Sequence, residues 1–116
     1  MKTELLHGTL EVMILKTLAS CGRTHGYGIG QWIAQRGGDA LRIEEGSLYP
    51  ALHRLERKGM IDAEWGLSDK NRKAKYYRLT PEGRRTLAEN VTTWTDFAEA
   101  VGRVLTSADT PAPACP

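Results

Sequence analysis

The chain contains no run of about 18 apolar residues, the length a helix needs to cross a bilayer, so no membrane span is expected. Its start carries Lys2 and Glu4 and then Leu5-Leu6-His7-Gly8, without a long apolar stretch closed by small residues. No secretory signal peptide is expected from that pattern. Cysteine is scarce: Cys21 and Cys115 are the only two, and they lie far apart. A disulfide framework is therefore not expected, and a reducing cytoplasm is. His7, Cys21, His25, His53 and Cys115 show neither a CxxC nor a HExxH spacing, and Cys21 with His25 has no third ligand beside it. There is no G-x-S-x-G elbow and no glycine loop of the kind that cradles phosphate. Metal site, cofactor, catalytic residue and enzyme are all unexpected.

What is present is an ordinary globular composition in 116 residues, 41% hydrophobic and 26% charged, enough for one domain with a modest core. The formal net charge is only +2, but it is unevenly spread. Residues 53–85 hold ten Lys/Arg against five Asp/Glu, whereas the rest of the chain holds six against nine. A basic segment between acidic flanks is the electrostatic footprint of a phosphate-binding surface.

Residues 9–20 predict a first helix, apolar almost all round through Leu10, Val12, Met13, Ile14, Leu15 and Leu18, and so buried between its own domain and a partner. Cys21-Gly22-Arg23-Thr24-His25-Gly26 is a turn, with Gly26 expected at a backbone angle only glycine favours and His25 expected to orient the first two helices. Residues 27–36 predict a second helix with Ile29, Trp32 and Ile33 inward, ended by Gly37-Gly38. Leu41-Arg42-Ile43 reads as a short extended piece.

The run from Glu45 to Gly59 predicts a short two-faced helix. At about 100° per residue, Leu48, Leu52 and Leu55 form one stripe with Ala51 at its edge, while Gly46, Pro50, His53, Arg54 and Arg57 fall opposite. Tyr49 sits on the flank. Pro50 is accommodated where the helix begins only a little before it, and Gly59 suits the left-handed position after the last turn. Ile61-Asp62-Ala63-Glu64-Trp65-Gly66-Leu67 alternates apolar and polar like a half-buried strand, which turns Trp65 toward the core. Lys75-Tyr76-Tyr77-Arg78-Leu79 is a second strand, and the polar turn between them makes a hairpin. Lys70, Asn71, Arg72, Lys73 and Lys75 then stand at or near its tip.

Thr80 is a good N-cap, Pro81 a good first helical residue, and Glu82 faces the positive end of the helix dipole. The helix they open runs to about Leu105, some 37 Å at 1.5 Å per residue. Leu87, Val91, Trp94, Ala98, Val101 and Leu105 repeat along it as a coiled-coil seam, more than so small a domain can cover. A homodimer through these residues, with Leu10 and Ile14 of the first helix, is the economical expectation. Residues 106–116 are small, polar and proline-rich, and disorder is expected there. The domain reading is residues 1–80 for a winged-helix unit, 81–105 for a dimerisation helix and 106–116 for a tail. The fold class is mainly α with a small β-hairpin.

This order of elements resembles the PadR-like family of bacterial winged-helix transcription regulators, its smaller branch with a single C-terminal helix. The likeness is carried by His25-Gly26-Tyr27-Gly28-Ile29, by residues 45–65, and by Lys75-Tyr76-Tyr77-Arg78-Leu79-Thr80-Pro81-Glu82-Gly83-Arg84. Two positions depart from the pattern: Asn71-Arg72-Lys73-Ala74 replaces a Gly-Arg-Pro-like wing tip, and Gly22-Arg23-Thr24 replaces a Gly-Pro step. The resemblance implies a dimeric repressor whose third helix enters the major groove of a near-palindromic operator. It also implies release by a small hydrophobic or aromatic effector. Base or nearby phosphate contacts fall to His53 and Arg57, and phosphate contacts to Arg54, Lys58, Ser47 and Tyr49, with Pro50 on the same face. Lys70, Asn71, Arg72, Lys73 and Lys75 supply wing contacts whose affinity falls with salt. Trp94 is either plain seam packing or one wall of a pocket. The alternative is a winged-helix protein-interaction module without specific DNA binding, for which the acidic flanks leave room.

Overall fold

The computed structural model describes residues 3–108, so the expected tail from residue 109 on, with Cys115, lies outside the described residues. Four helices and three strands follow in the order α1 (Thr3–Cys21), β1 (Thr24–His25), α2 (Gly26–Gly37), α3 (Glu45–Arg57), β2 (Ile61–Leu67), β3 (Lys73–Leu79) and α4 (Pro81–Leu105). The fold is mostly helical around a small antiparallel sheet ordered β1-β3-β2.

Helix α1 runs through the centre. Leu10, Ile14, Leu15 and Leu18 are buried on it, and they meet Ile29 and Ile33 of α2, Leu48, Ala51, Leu52 and Leu55 of α3, and Ile61, Tyr77 and Leu87 beyond. Each leucine or isoleucine among them contributes about 1.5–3 kcal/mol by leaving water. Thr17 is buried among them because its hydroxyl donates to the Met13 carbonyl at 2.8 Å, which removes the cost of an unpaired polar group. Leu10 and Ile14 are both 0% exposed, so they belong to the subunit's own core and present no surface to a partner.

Several local expectations change. The sheet is three-stranded and not a simple hairpin, because Thr24 and His25 pair with Tyr77 and Tyr76. Two residues are too short to show a period in sequence, so only the pairing partner reveals the strand. His25 then caps α2, its Nδ1 accepting the Gly28 amide at 3.0 Å, while its ring stands edge-on to Tyr76. Gly26 does not adopt a left-handed angle; the glycines that do are Gly22, Gly38 and Gly59. What Gly26 needs is space, since a Cβ there would stand 2.9 Å from the Tyr49 ring. The expected extended piece at Leu41-Arg42-Ile43 begins as a 3-10 turn, Gly38–Leu41, and opens out only afterwards.

Helix α3 closes as the glycine signal implies. Gly59, at φ +75, donates to Glu56 O and Met60 donates to Leu55 O, the paired bonds of a Schellman ending. Pro50 lies in the second turn, so α3 forgoes the bond its amide would have made. The start of α4 is tied to that ending: the Thr80 hydroxyl accepts the Gly83 amide at 3.0 Å and donates to Gly59 O at 2.7 Å. Gly83 fits there because a Cβ would fall 2.0 Å from the Met60 carbonyl oxygen. Helix α3, the hairpin and α4 therefore meet at one short hydrogen-bonded junction.

Candidate nucleic-acid interface

On α3 the leucine stripe is buried and the opposite row is open. Pro50, His53 and Arg57 are exposed, together with Glu45, Gly46 and Lys58. Tyr49 is 40% exposed, its ring lying across Gly26 at the flank. Ser47 is half-buried at the helix start. Arg54 is half-buried as well, and its Nη2 is buried with no hydrogen-bond partner among the described residues. It turns aside from the row that His53 and Arg57 form. Lys58 leans to α1, where its Nζ is 3.1 Å from Glu11 Oε1, so its charge is already partly answered.

The hairpin is held in one register from Ile61↔Leu79 to Leu67↔Lys73. Its turn closes through Ser68 N–H to Arg72 O and Asn71 N–H to Ser68 O, each 2.8 Å, with the Ser68 hydroxyl accepting the Arg72 amide. Asn71 takes a left-handed φ of 59, which asparagine tolerates better than most residues. Lys70, Asn71, Arg72 and Lys73 are exposed at or beside this tip. Lys75 is not at the tip. It lies in mid-strand, half-buried, with its Nζ 3.2 Å from Glu56 Oε1 of α3 and 5.7 Å from the Tyr77 ring centre. Burial first, then the Glu56 carboxylate and Tyr49, push the Tyr77 hydroxyl above its ordinary pKa, so it stays neutral.

The opposite face of the sheet carries a separate set. Arg23 stacks 3.9 Å over the Tyr76 ring and its Nε lies 2.7 Å from Glu64 Oε1, which holds that carboxyl below its ordinary range. Arg78 and Asp62 face each other alongside at 3.9 Å.

Trp65 departs most from expectation. It is 62% exposed, not core, and the Lys73 ammonium stands 5.1 Å over its ring. Alternation assigns its face correctly, but the core beneath that face ends at Ala63, before the strand does.

Along α4 only Leu87 of the seam is buried; Val91, Trp94, Val101 and Leu105 are exposed and Ala98 is half-buried. Trp94 donates from Nε1 to Thr9 Oγ1 at 3.2 Å. With α1, the end of α2 and Leu41, this side of α4 encloses an open groove of about 950 Å³. Trp32 lies in its wall, half-buried, with Arg36 stacked 3.9 Å over the ring. Phe97 is a groove residue that the strict seam passes over. The apolar spacing Trp94, Phe97, Val101 was its signal, a stripe wider than a two-position seam. No helix among the described residues is long and apolar enough to cross a membrane.

Residues 14–89 match the family model described as "Transcriptional regulator PadR-like family". A transcriptional regulator of Mycobacterium tuberculosis is 38% identical over 72 residues, 62% of this chain and 64% of that protein. The crystal structure of a PadR family transcriptional regulator from Eggerthella lenta superposes with a TM-score of 0.72 at 34% identity, over 90% of this chain and 88% of that one. A transcriptional regulator from Clostridium thermocellum superposes with a TM-score of 0.76 at 29% identity, over 86% of this chain and 96% of its own.

Proposed function

Since this chain belongs to the PadR-like family of transcriptional regulators, we propose that it is a cytoplasmic, dimeric, sequence-specific DNA-binding repressor. PadR-like regulators bind DNA and are not enzymes. The observation that carries the reading is the open row of Pro50, His53 and Arg57 on a helix clamped beside a hairpin tipped by Lys70, Arg72 and Lys73. Arg57 has the chemistry to grip guanine bidentately in the major groove, and His53 stands beside it. Ser47 and Tyr49 contact phosphate at the helix start, Lys58 and Arg54 contact it along the flank, and the wing cations with Asn71 hold the backbone. The exposed part of the α4 seam, Val91, Trp94, Ala98, Val101 and Leu105, packs on a second copy. Two reading helices then enter successive major grooves about 34 Å apart on a near-palindromic operator.

The test is an electrophoretic shift on the DNA upstream of the protein's own gene. Arg57→Ala loses discrimination between that DNA and mixed sequence. Arg72→Ala weakens all duplexes alike and lowers the slope of log affinity against log salt by about one. Absence of any complex at low salt refutes the reading and leaves a protein-interaction module.

The apolar groove favours a ligand-released repressor. A small aromatic or hydrophobic effector enters between the α4 helices against Trp94, Trp32 and Phe97, and tryptophan emission reports it. Quenching that Trp94→Ala abolishes in a still-dimeric protein supports the effector; unchanged emission across a broad aromatic panel refutes it.

A further inference from the structure

One face of the hairpin is shared by Ile61, Ala63, Trp65 and Leu67 of β2 and by Lys73, Lys75, Tyr77 and Leu79 of β3, since directly paired residues point the same way. At its base this face is core: Ile61 is 1% exposed and Tyr77 5%. Toward the tip it leaves the helices behind, so that Trp65 and Leu67 are 62% and 67% exposed. The overhang looks to the same side as α3. Lys75 reaches Glu56 of α3 across it, and the Tyr77 hydroxyl feels both Glu56 and Tyr49.

The charge on this overhang has one sign. Glu64 and Asp62 lie on the other face, paired to Arg23 and Arg78. Glu56 is answered by Lys75, and Asp69 lies in the turn, followed in sequence by Lys70 and Arg72. Lys73, placed over the Trp65 ring, makes no ion pair among the described residues. A large apolar ring beneath an unpaired ammonium suits a polyanion whose charged groups alternate with apolar sugar. It does not suit an acidic core or a plain greasy partner, because the first lacks surface for Trp65 and the second would bury Lys73 unpaired.

We propose that this underside of the wing is a further DNA-contact surface, on which the Trp65 ring lies against backbone deoxyribose beside the groove that α3 enters while Lys73 takes the adjoining phosphate. The proposal rests on the DNA-binding reading above and adds a contact that is apolar and blind to sequence. Trp65 thus adds affinity by removing apolar surface from water and not by releasing counterions.

The experiment uses the full chain and a duplex of mixed sequence at low salt. In a Trp32→Phe/Trp94→Phe protein, Trp65 is the only tryptophan. Its emission should change in step with the anisotropy of labelled duplex. Trp65→Ala should weaken binding about tenfold, the worth of roughly 55 Å² of apolar ring, and leave the salt slope as it was. Lys73→Ala should lower that slope by about one. Trp65→Phe, which keeps an apolar ring, should retain most of the affinity. Trp65→Thr, with good strand propensity, replaces the alanine variant if the latter melts early. Unmoved Trp65 emission at saturating duplex overturns the proposal and assigns the overhang to a protein partner. Unchanged affinity in a folded Trp65 variant overturns it as well, while Arg57→Ala still losing discrimination leaves the reading of α3 intact. A parent protein that binds no duplex refutes both.

Discussion

The ammonium of Lys75 and the carboxylate of Glu56 meet at 3.2 Å, joining the middle of the hairpin's second strand to the flank of α3. Both side chains are about two-thirds covered, so water screens the pair less than it would an open one. The contact ties the hairpin to α3.

Lys75→Met should therefore lower stability by about 1 kcal/mol, roughly 4–8 °C in melting temperature for a domain of this size. Thermal denaturation followed by circular dichroism reads this directly. Glu56→Gln should in addition bring the Tyr77 hydroxyl down toward its ordinary pKa of 10.0, though not all the way, because burial is the larger cause. A raised folded-state pKa means that the neutral hydroxyl's contribution is complete below that ordinary value and is lost as pH rises past it. In Glu56→Gln the loss should begin at the same pH as in the wild type but be smaller and end at lower pH, as seen in alkaline unfolding curves.

Two glycines that avoid crowding should respond differently. At Gly83 an added methyl meets backbone, the Met60 carbonyl oxygen at 2.0 Å, and nothing can swing aside. At Gly26 it meets the far end of the Tyr49 side chain at 2.9 Å, and that residue is 40% exposed, so it yields more readily than backbone. Gly83→Ala is expected to cost about 3 kcal/mol and Gly26→Ala about 1 kcal/mol in urea denaturation. Equal costs would contradict this account.

The Arg23–Glu64 pair braces the wing from its outer face. Hydrogen bonding from Arg23, followed by its charge, holds the Glu64 carboxyl below the ordinary 4.5. A depressed folded-state pKa contributes stability that is present above the ordinary value and disappears as pH falls through the lowered one. In Arg23→Ala the Glu64 carboxyl should titrate nearer its ordinary value, which carboxyl-resolved NMR titration can follow. An unmoved Glu64 titration would disprove the brace.

Charges set into the exposed seam test the dimer. Val91→Glu with Val101→Glu should weaken self-association about a hundredfold or more in sedimentation, because two unpaired carboxylates would be buried on contact. Helical circular dichroism should persist, since both positions are exposed within one subunit. A dimer of undiminished strength places the interface elsewhere.

Much of this protein is local and so was legible in the order of its residues. The Thr80-Pro81 start of α4, the Gly59 ending of α3, the leucine stripe and the alternation along β2 each depend on neighbours within a few positions. What depended on distant neighbours was not legible. Alternation put Trp65 on the core side of the hairpin, but only the packed structure shows that the helices end before the strand does, leaving the ring in the open. The same is true of Lys75, whose charge meets Glu56 nineteen positions away, and of β1, a strand of two residues made by its partner. It holds for Leu10 and Ile14 too: an apolar helix shows that both sides are covered, and tertiary packing decided that the subunit covers them itself. The hairpin and α3 were thus written in periodicity and caps. Their mutual angle and the exposed underside between them came from contacts that no local pattern records.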